Sequence, residues 1–265
     1  MKKFFMILLA LLFTMPLTSL YAEEPTARDI VDQSYEASKV PGTEAVSTMT
    51  IIDSKGRKRI RKVAQATKLF DNGDTEKKII RFLSPADVKG TGLLTYDYEK
   101  KDDDMWLYMP ALRKTRRIIS SEKAKSFMGS EFSYADVTPP ALDDFTYKKL
   151  GEDKLRDVLC WKIEIVPKND DIADENGFSK KISFVGKKDF VTRKAIYYDL
   201  DGELHKELSV NKIKEIDPKN KKFRAVDLIM VNKQNGRKST LIIEKIEVTP
   251  DIKDEFFTIR YLEKQ

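Results

Sequence analysis

The sequence predicts a mostly β domain (α+β) built as one large curved antiparallel sheet behind an N-terminal helix. Three observations carry this. Segments of strand length follow one another with only short turns between them, which forces antiparallel pairing. Asn72-Gly73, Asp201-Gly202 and Asn235-Gly236 each sit between two such segments, a strong hairpin signal. In DMWLYMP at 104–110, Trp106 and Tyr108 point one way while Met105, Leu107 and Met109 point the other. Both faces of that strand are apolar, so both need a cover, as on a sheet whose concave side is filled by helices or by cargo.

The first 22 residues read as a secretory signal. Lys2 and Lys3 form a charged start, Phe4 to Phe13 is an unbroken apolar run, and Ala22 is a small residue before Glu23-Glu24-Pro25. Pro16, Thr18 and Ser19 interrupt the run before the roughly 20 apolar residues a membrane span needs. Cleavage after Ala22 and a periplasmic location are expected. The mature chain, 23–265, contains no Pro/Gly/Ser-rich linker and is expected to be one domain. Its single cysteine, Cys160, excludes an internal disulfide. The formal net charge of +6 is mild and does not indicate nucleic acid, though it suits visits to anionic membrane surfaces.

The elements follow in order. Thr26 is placed to cap a helix whose Ile30, Val31, Ser34, Tyr35 and Ser38 share one side, and Pro41-Gly42 ends it. AVSTMTIID, RIRKVAQATKLF, EKKIIRFL, TGLLTYDY, MWLYMP and TRRII read as strands. Residues 120–137 and 139–144 break the rhythm and are expected to cross the mouth of the sheet as loop and short helices. VLCWKIEIV, KKISFVG, TRKAIYYDL, HKELSVNKI, FRAVDLIMV and STLIIEKIEV resume it. In the first of these, Trp161, Ile163 and Ile165 alternate with Lys162 and Glu164, giving one buried and one wet face. Phe256, Phe257, Ile259 and Tyr261 near the end look like a docking segment.

Catalytic chemistry finds little support. His205 is the only histidine and is expected to face water, and Ser130 lacks the glycine pattern of a nucleophile elbow. One histidine and one cysteine do not make an ordinary zinc site. In DDIADENG, Ile172 falls at position one and Ser183 at position twelve, where a calcium loop needs an acidic ligand and a bidentate glutamate, and Asp102-Asp103-Asp104 reads as a solvated turn. Gly90-Thr91-Gly92 precedes a strand rather than opening a helix. No cofactor is expected. The basic runs KGRKRIRK (55–62) and RKTRR (113–117) are either exposed hairpin faces or surfaces for anionic head groups or an acidic partner.

The segment FMGSEFSYADV at 127–137 stands out because it places aromatic residues and a methionine in irregular chain. Those residues are either plain core or an adaptable apolar binding surface. On the second reading, Leu93, Trp106, Tyr108 and Met109 wall a lipid-binding cavity, and Phe127, Met128, Phe132 and Tyr134 lie at its mouth.

The blocks RFLSPADVKGTGLLTYDY, DMWLYMPALRKTRRI and SFMGSEFSYADV resemble the outer-membrane lipoprotein-sorting protein family of the LolA/LolB-like superfamily. The resemblance implies an incomplete antiparallel β-barrel around a hydrophobic cavity, with helices as a lid. It also implies a non-enzymatic periplasmic carrier of lipoprotein or lipid acyl chains, accompanied by an inner-membrane transporter of the resistance-nodulation-division type. An alternative is an adaptor or assembly subunit of such a transporter, with the aromatic loop as a protein interface.

Overall fold

The computed structural model describes residues 24–99 and 101–264; the expected signal sequence and its cleavage point lie outside them. A first meander comprises β1 (Gly42–Ile52), β2 (Lys58–Phe70), β3 (Thr75–Ser84), β4 (Gly92–Tyr98), β5 (Asp104–Met109) and β6 (Lys114–Arg117). After an irregular stretch, a second comprises β7 (Phe145–Leu155), β8 (Val158–Pro167), β9 (Lys180–Gly186), β10 (Thr192–Tyr198), β11 (Leu204–Asp217), β12 (Lys222–Asn232) and β13 (Lys238–Val248). The two join because β13 returns to pair with β1, Thr43 opposite Val248 and Ile52 opposite Lys238. The result is one 13-stranded antiparallel sheet in the order β6-β5-β4-β3-β2-β1-β13-β12-β11-β10-β9-β8-β7. Its ends, β6 and β7, do not pair with each other, so the barrel is incomplete.

The hairpins fall where the sequence places them. Asn72 and Gly73 take positive φ (58° and 104°) in the turn between β2 and β3. The Asp201-Gly202 and Asn235-Gly236 turns join β10 to β11 and β12 to β13. β7 is an addition to the sequence reading. Only Phe145 and Tyr147 give it apolar alternation, and from Lys148 onward it is almost wholly exposed, as suits an edge strand.

Helix α1 (Ala27–Glu36) starts with a capping box. The Asp29 N–H donates to the Thr26 hydroxyl at 3.2 Å, and the Asp29 carboxylate accepts from the Thr26 N–H at 2.9 Å. The carbonyls at its end and just beyond are met by the β11–β12 hairpin. Lys222 Nζ donates to Glu36 O at 2.7 Å, Phe223 N–H to Ala37 O at 2.8 Å, and Arg224 to Ser38 O at 3.1 Å. DDIADEN is a helix, α2 (Asp170–Asn176), capped by Asn169 and ended by Gly177 at φ 71°, so its backbone carbonyls are engaged rather than arranged as a cation loop.

Four apolar clusters result. Two line the concave side, one from each meander, and Val137 and Leu241 touch both. A third lies outside β3–β5, where the chain end docks through Phe257 and Leu262, with α3 (Ile259–Leu262). Leu262 takes the inward role expected of Ile259, which is exposed. Gly92 permits this approach, since a Cβ there would stand 2.6 Å from Leu262 Cδ1. The fourth, outside β8 and β9, contains Cys160 against Ile182 and Phe184.

Candidate functional site

Strand alternation builds the concave face. From the first meander Ile80, Phe82, Leu93, Met105 and Leu107 project inward; from the second, Ile163, Ile165, Val185 and Met230 do. A second sheet does not cover these rows. α1 and the irregular stretch 118–144, with four short 3₁₀ turns, lie over them.

The irregular stretch is a packed plug. Phe127 is 2% exposed, with its ring 5.8 Å from Phe82 and 5.6 Å from Tyr134. Phe132 inserts into the cluster of the second meander. Between them Met128 (φ 53°) and Gly129 (φ 77°) make a left-handed turn, a conformation that costs little at glycine and more at methionine. Arginines hold that turn: Arg61 donates to Met128 O, and Arg237 to Gly129 O at 2.9 Å. The Ser130 hydroxyl donates to Phe127 O at 2.8 Å and is buried. His205 lies on the other face of its strand. It is half-buried instead of facing water, its Nδ1 meets no partner among the described residues, and burial lowers its pKa.

The structure brings Leu93, Met109, Phe127, Met128 and Tyr134 together in one cluster and places Phe132 in the adjoining one. Trp106 and Tyr108 are separated from them. Leu93 faces inward, but Tyr108 and Trp106 pack outside the sheet with Leu94, Phe257 and Leu262. The expectation that Trp106 and Tyr108 share a wall with Leu93 is therefore corrected. Odd and even positions of β5 point to opposite faces, and the even ones hold the chain end. Phe127 is likewise in the core instead of at an opening.

Composition and motif gave no sign of the charged groups inside the plug. Glu131 is buried, pairs with Arg237 at 2.9 Å, accepts from Asn232 Nδ2 at 3.1 Å, and its N–H donates to Ser239 Oγ at 2.9 Å. Asp136 meets Lys206 at 3.3 Å and accepts from the Ser133 N–H at 2.8 Å. Burial pushes the Asp136 carboxyl up, but Lys206, the Ser133 donors and Lys181 together hold it below the ordinary value. Burial and Asp136 raise the neighbouring Tyr197 phenol well above its ordinary value. These contacts pin the plug to β11–β13.

Two cavities adjoin the plug. One, of about 240 Å³, lies between α1 and β7–β10. Val31 and Tyr35 of α1, Leu142 of the plug, and Phe145, Ile165 and Val185 of the strands make its apolar wall, and Lys181 and Ser183 enter it. It continues the cluster that receives Phe132. The other, of about 560 Å³, lies between α1, the β2–β3 and β4–β5 turns and residues 140–144, and is acidic, with Asp74, Glu76, Asp97, Asp103, Asp144 and Glu175 among its lining. There Lys123 bridges Asp103 at 3.2 Å and Glu175 at 2.6 Å, so Asp103 is not a free solvated turn residue. The Asp97 carboxyl is pushed up to about 7 by burial first, then by Asp103 and Glu76, with Lys78 opposing.

Comparison with known proteins agrees with this geometry. A family model described as "Uncharacterized protein" matches residues 74–264. No curated protein matches the chain. Among solved structures, a domain assigned as an outer membrane lipoprotein-sorting protein from Vibrio parahaemolyticus is 25% identical, with a TM-score of 0.82 over 90% of this chain and 98% of that one. A DUF1329 family protein from Desulfovibrio piger is 26% identical, with a TM-score of 0.82 over 89% and 97%. A LolA superfamily protein from Nitrosomonas europaea, 18% identical, shares the fold at a TM-score of 0.69 over 90% and 100%. The family model over residues 74–264 shows the family to which the chain belongs, and its open antiparallel sheet has the fold of the lipoprotein-sorting domain and of the DUF1329 family protein.

Proposed function

We propose that this protein is a non-enzymatic periplasmic carrier that takes acyl chains of lipoproteins or lipids onto its concave face and moves them between envelope membranes. One observation carries the reading: among the described residues the apolar rows of both meanders are covered by short helices, chiefly α1, and by the irregular plug instead of a second sheet, with a cavity of about 240 Å³ open between α1 and the strands. An acyl chain in water costs about 0.8 kcal/mol per CH₂, so a carrier must cover it completely yet release it. A sheet-on-sheet core does not open without unfolding. A cover of irregular chain opens by breaking local contacts alone.

In this account cargo enters at the cavity and displaces the plug. Leu93 and Met109 then become cargo-facing wall, while Phe127, Met128, Phe132 and Tyr134 occupy the acyl position until cargo arrives. Delivery to membranes is supported by charge. The β1–β2, β5–β6 and β12–β13 turns and the strand starts that follow them carry Lys55, Arg57, Lys58, Arg113, Lys114 and Lys238, all exposed, and Leu112 and Ile60 are exposed beside them.

The protein purified from its own envelope and extracted with organic solvent is expected to release acyl lipid in near one-to-one amount, identified by mass spectrometry. Lipid-free protein that binds an inner-membrane transporter tightly would instead support the adaptor role.

A further inference from the structure

One charge enters the cavity between α1 and β7–β10. Lys181 stands opposite Ile165 of β8 and Tyr197 of β10, in the same inward row as Ser183 and Val185. Its ammonium lies 5.3 Å from the Phe178 ring and 5.6 Å from the Tyr197 ring. Among the described residues no carboxylate pairs with it. The nearby Asp136 is taken by Lys206 at 3.3 Å and by the Ser133 N–H at 2.8 Å. Two ammonium groups thus share one carboxylate, and Glu131 is already paired with Arg237.

Lys181 is half-buried, and an ammonium held beside an apolar wall is partly stripped of water without gaining a counter-charge, which is unfavourable. Burial accordingly lowers the Lys181 pKa, Lys206 lowers it further, and Asp136 opposes. A methionine or leucine would line the same space without that cost. A guest bearing a negative group would offset it, with Ser183 and Thr192 as hydroxyl donors on the same wall. A neutral guest would leave the ammonium unpaired.

We propose that this cavity selects amphiphiles by an anionic group, carboxylate or phosphate, seated against Lys181, with the acyl chain running over Ile165, Val185 and Phe145. The inference rests on the carrier reading and adds to it a preference in cargo.

The test uses delipidated full-length mature protein. Palmitate is compared with hexadecanol, and lysophosphatidylglycerol with monopalmitoylglycerol, by direct binding. The anionic member of at least one pair should bind about tenfold tighter or more, because a charge-assisted contact replaces an unpaired charge. Preference within the first pair assigns a carboxylate, and within the second a phosphate. Lys181→Met should abolish the preference, keep the affinity for the neutral ligand and raise the thermal midpoint of the empty protein. Lys181→Arg should retain the preference. Equal binding of charged and neutral ligands, or a preference that survives in folded Lys181→Met, would overturn the selection while leaving the carrier reading intact. Absence of binding by all four ligands would overturn the carrier reading and this inference with it.

Discussion

Replacing Phe127 by alanine should lower the stability of the lipid-free protein by about 3–5 kcal/mol and, in the same variant, tighten acyl-chain binding. The first effect follows from packing. Phe127 is among the largest fully buried side chains, wedged between Phe82 and Tyr134, and its removal leaves a cavity within one of the two inner clusters. The second follows from competition. If plug and cargo occupy the same surface, weakening the plug raises the population of the open form, and each 1.4 kcal/mol lost from plug docking can return up to about tenfold in affinity. Thermal unfolding and lipid titration on one preparation separate the cases. A folded Phe127→Ala protein that binds lipid more weakly would show that Phe127 touches cargo instead of holding its place.

The second large effect is on pH. The folded protein keeps the Asp97 proton until about pH 7, whereas the ordinary value is 3.8. Between those values the folded state binds more protons than the unfolded chain, so stability falls as pH rises. The contribution is fully present below 3.8 and lost on passing 7, at up to about 1.4 kcal/mol per pH unit for one group. Buried beside Asp103 and Glu76, the ionised carboxylate is opposed by Lys78. Asp97→Asn should therefore be more stable than the parent at about pH 8, and its thermal midpoint should change less between about pH 5 and pH 8. Parallel profiles for the two proteins would remove Asp97 as the titrating group.

Much of the architecture was legible because it is written in short-range chemistry. Asn72-Gly73 specifies its hairpin, the Thr26 and Asp29 pair starts α1, and Val31, Ser34, Tyr35 and Ser38, expected on one side of that helix, do line one cavity. The sidedness of β5 was not legible. Both of its faces are apolar, and which is concave depends on pairings across the whole sheet and on a chain end more than 140 residues away. The interior ions were equally hidden. Lys206 sits in HKELS, where alternation with Glu207 reads as a wet strand, and only the fold of the plug brings Asp136 to it. β7 escaped notice because an edge strand has one face in water and no need of sustained alternation.

Hydrogen exchange on the lipid-loaded and empty protein tests most directly whether the concave face is the cargo chamber. In the empty protein the plug's amides are bonded within the plug itself: Phe127 N–H to Phe132 O at 2.7 Å, Tyr134 N–H to Lys125 O at 3.1 Å and Ala135 N–H to Lys123 O at 2.9 Å. Displacement by an acyl chain should speed exchange at these positions while the β1–β13 and β8–β9 ladders stay protected. Full lipid load with unchanged protection from Phe127 to Ala135 would contradict the account, because the cargo would then lie elsewhere.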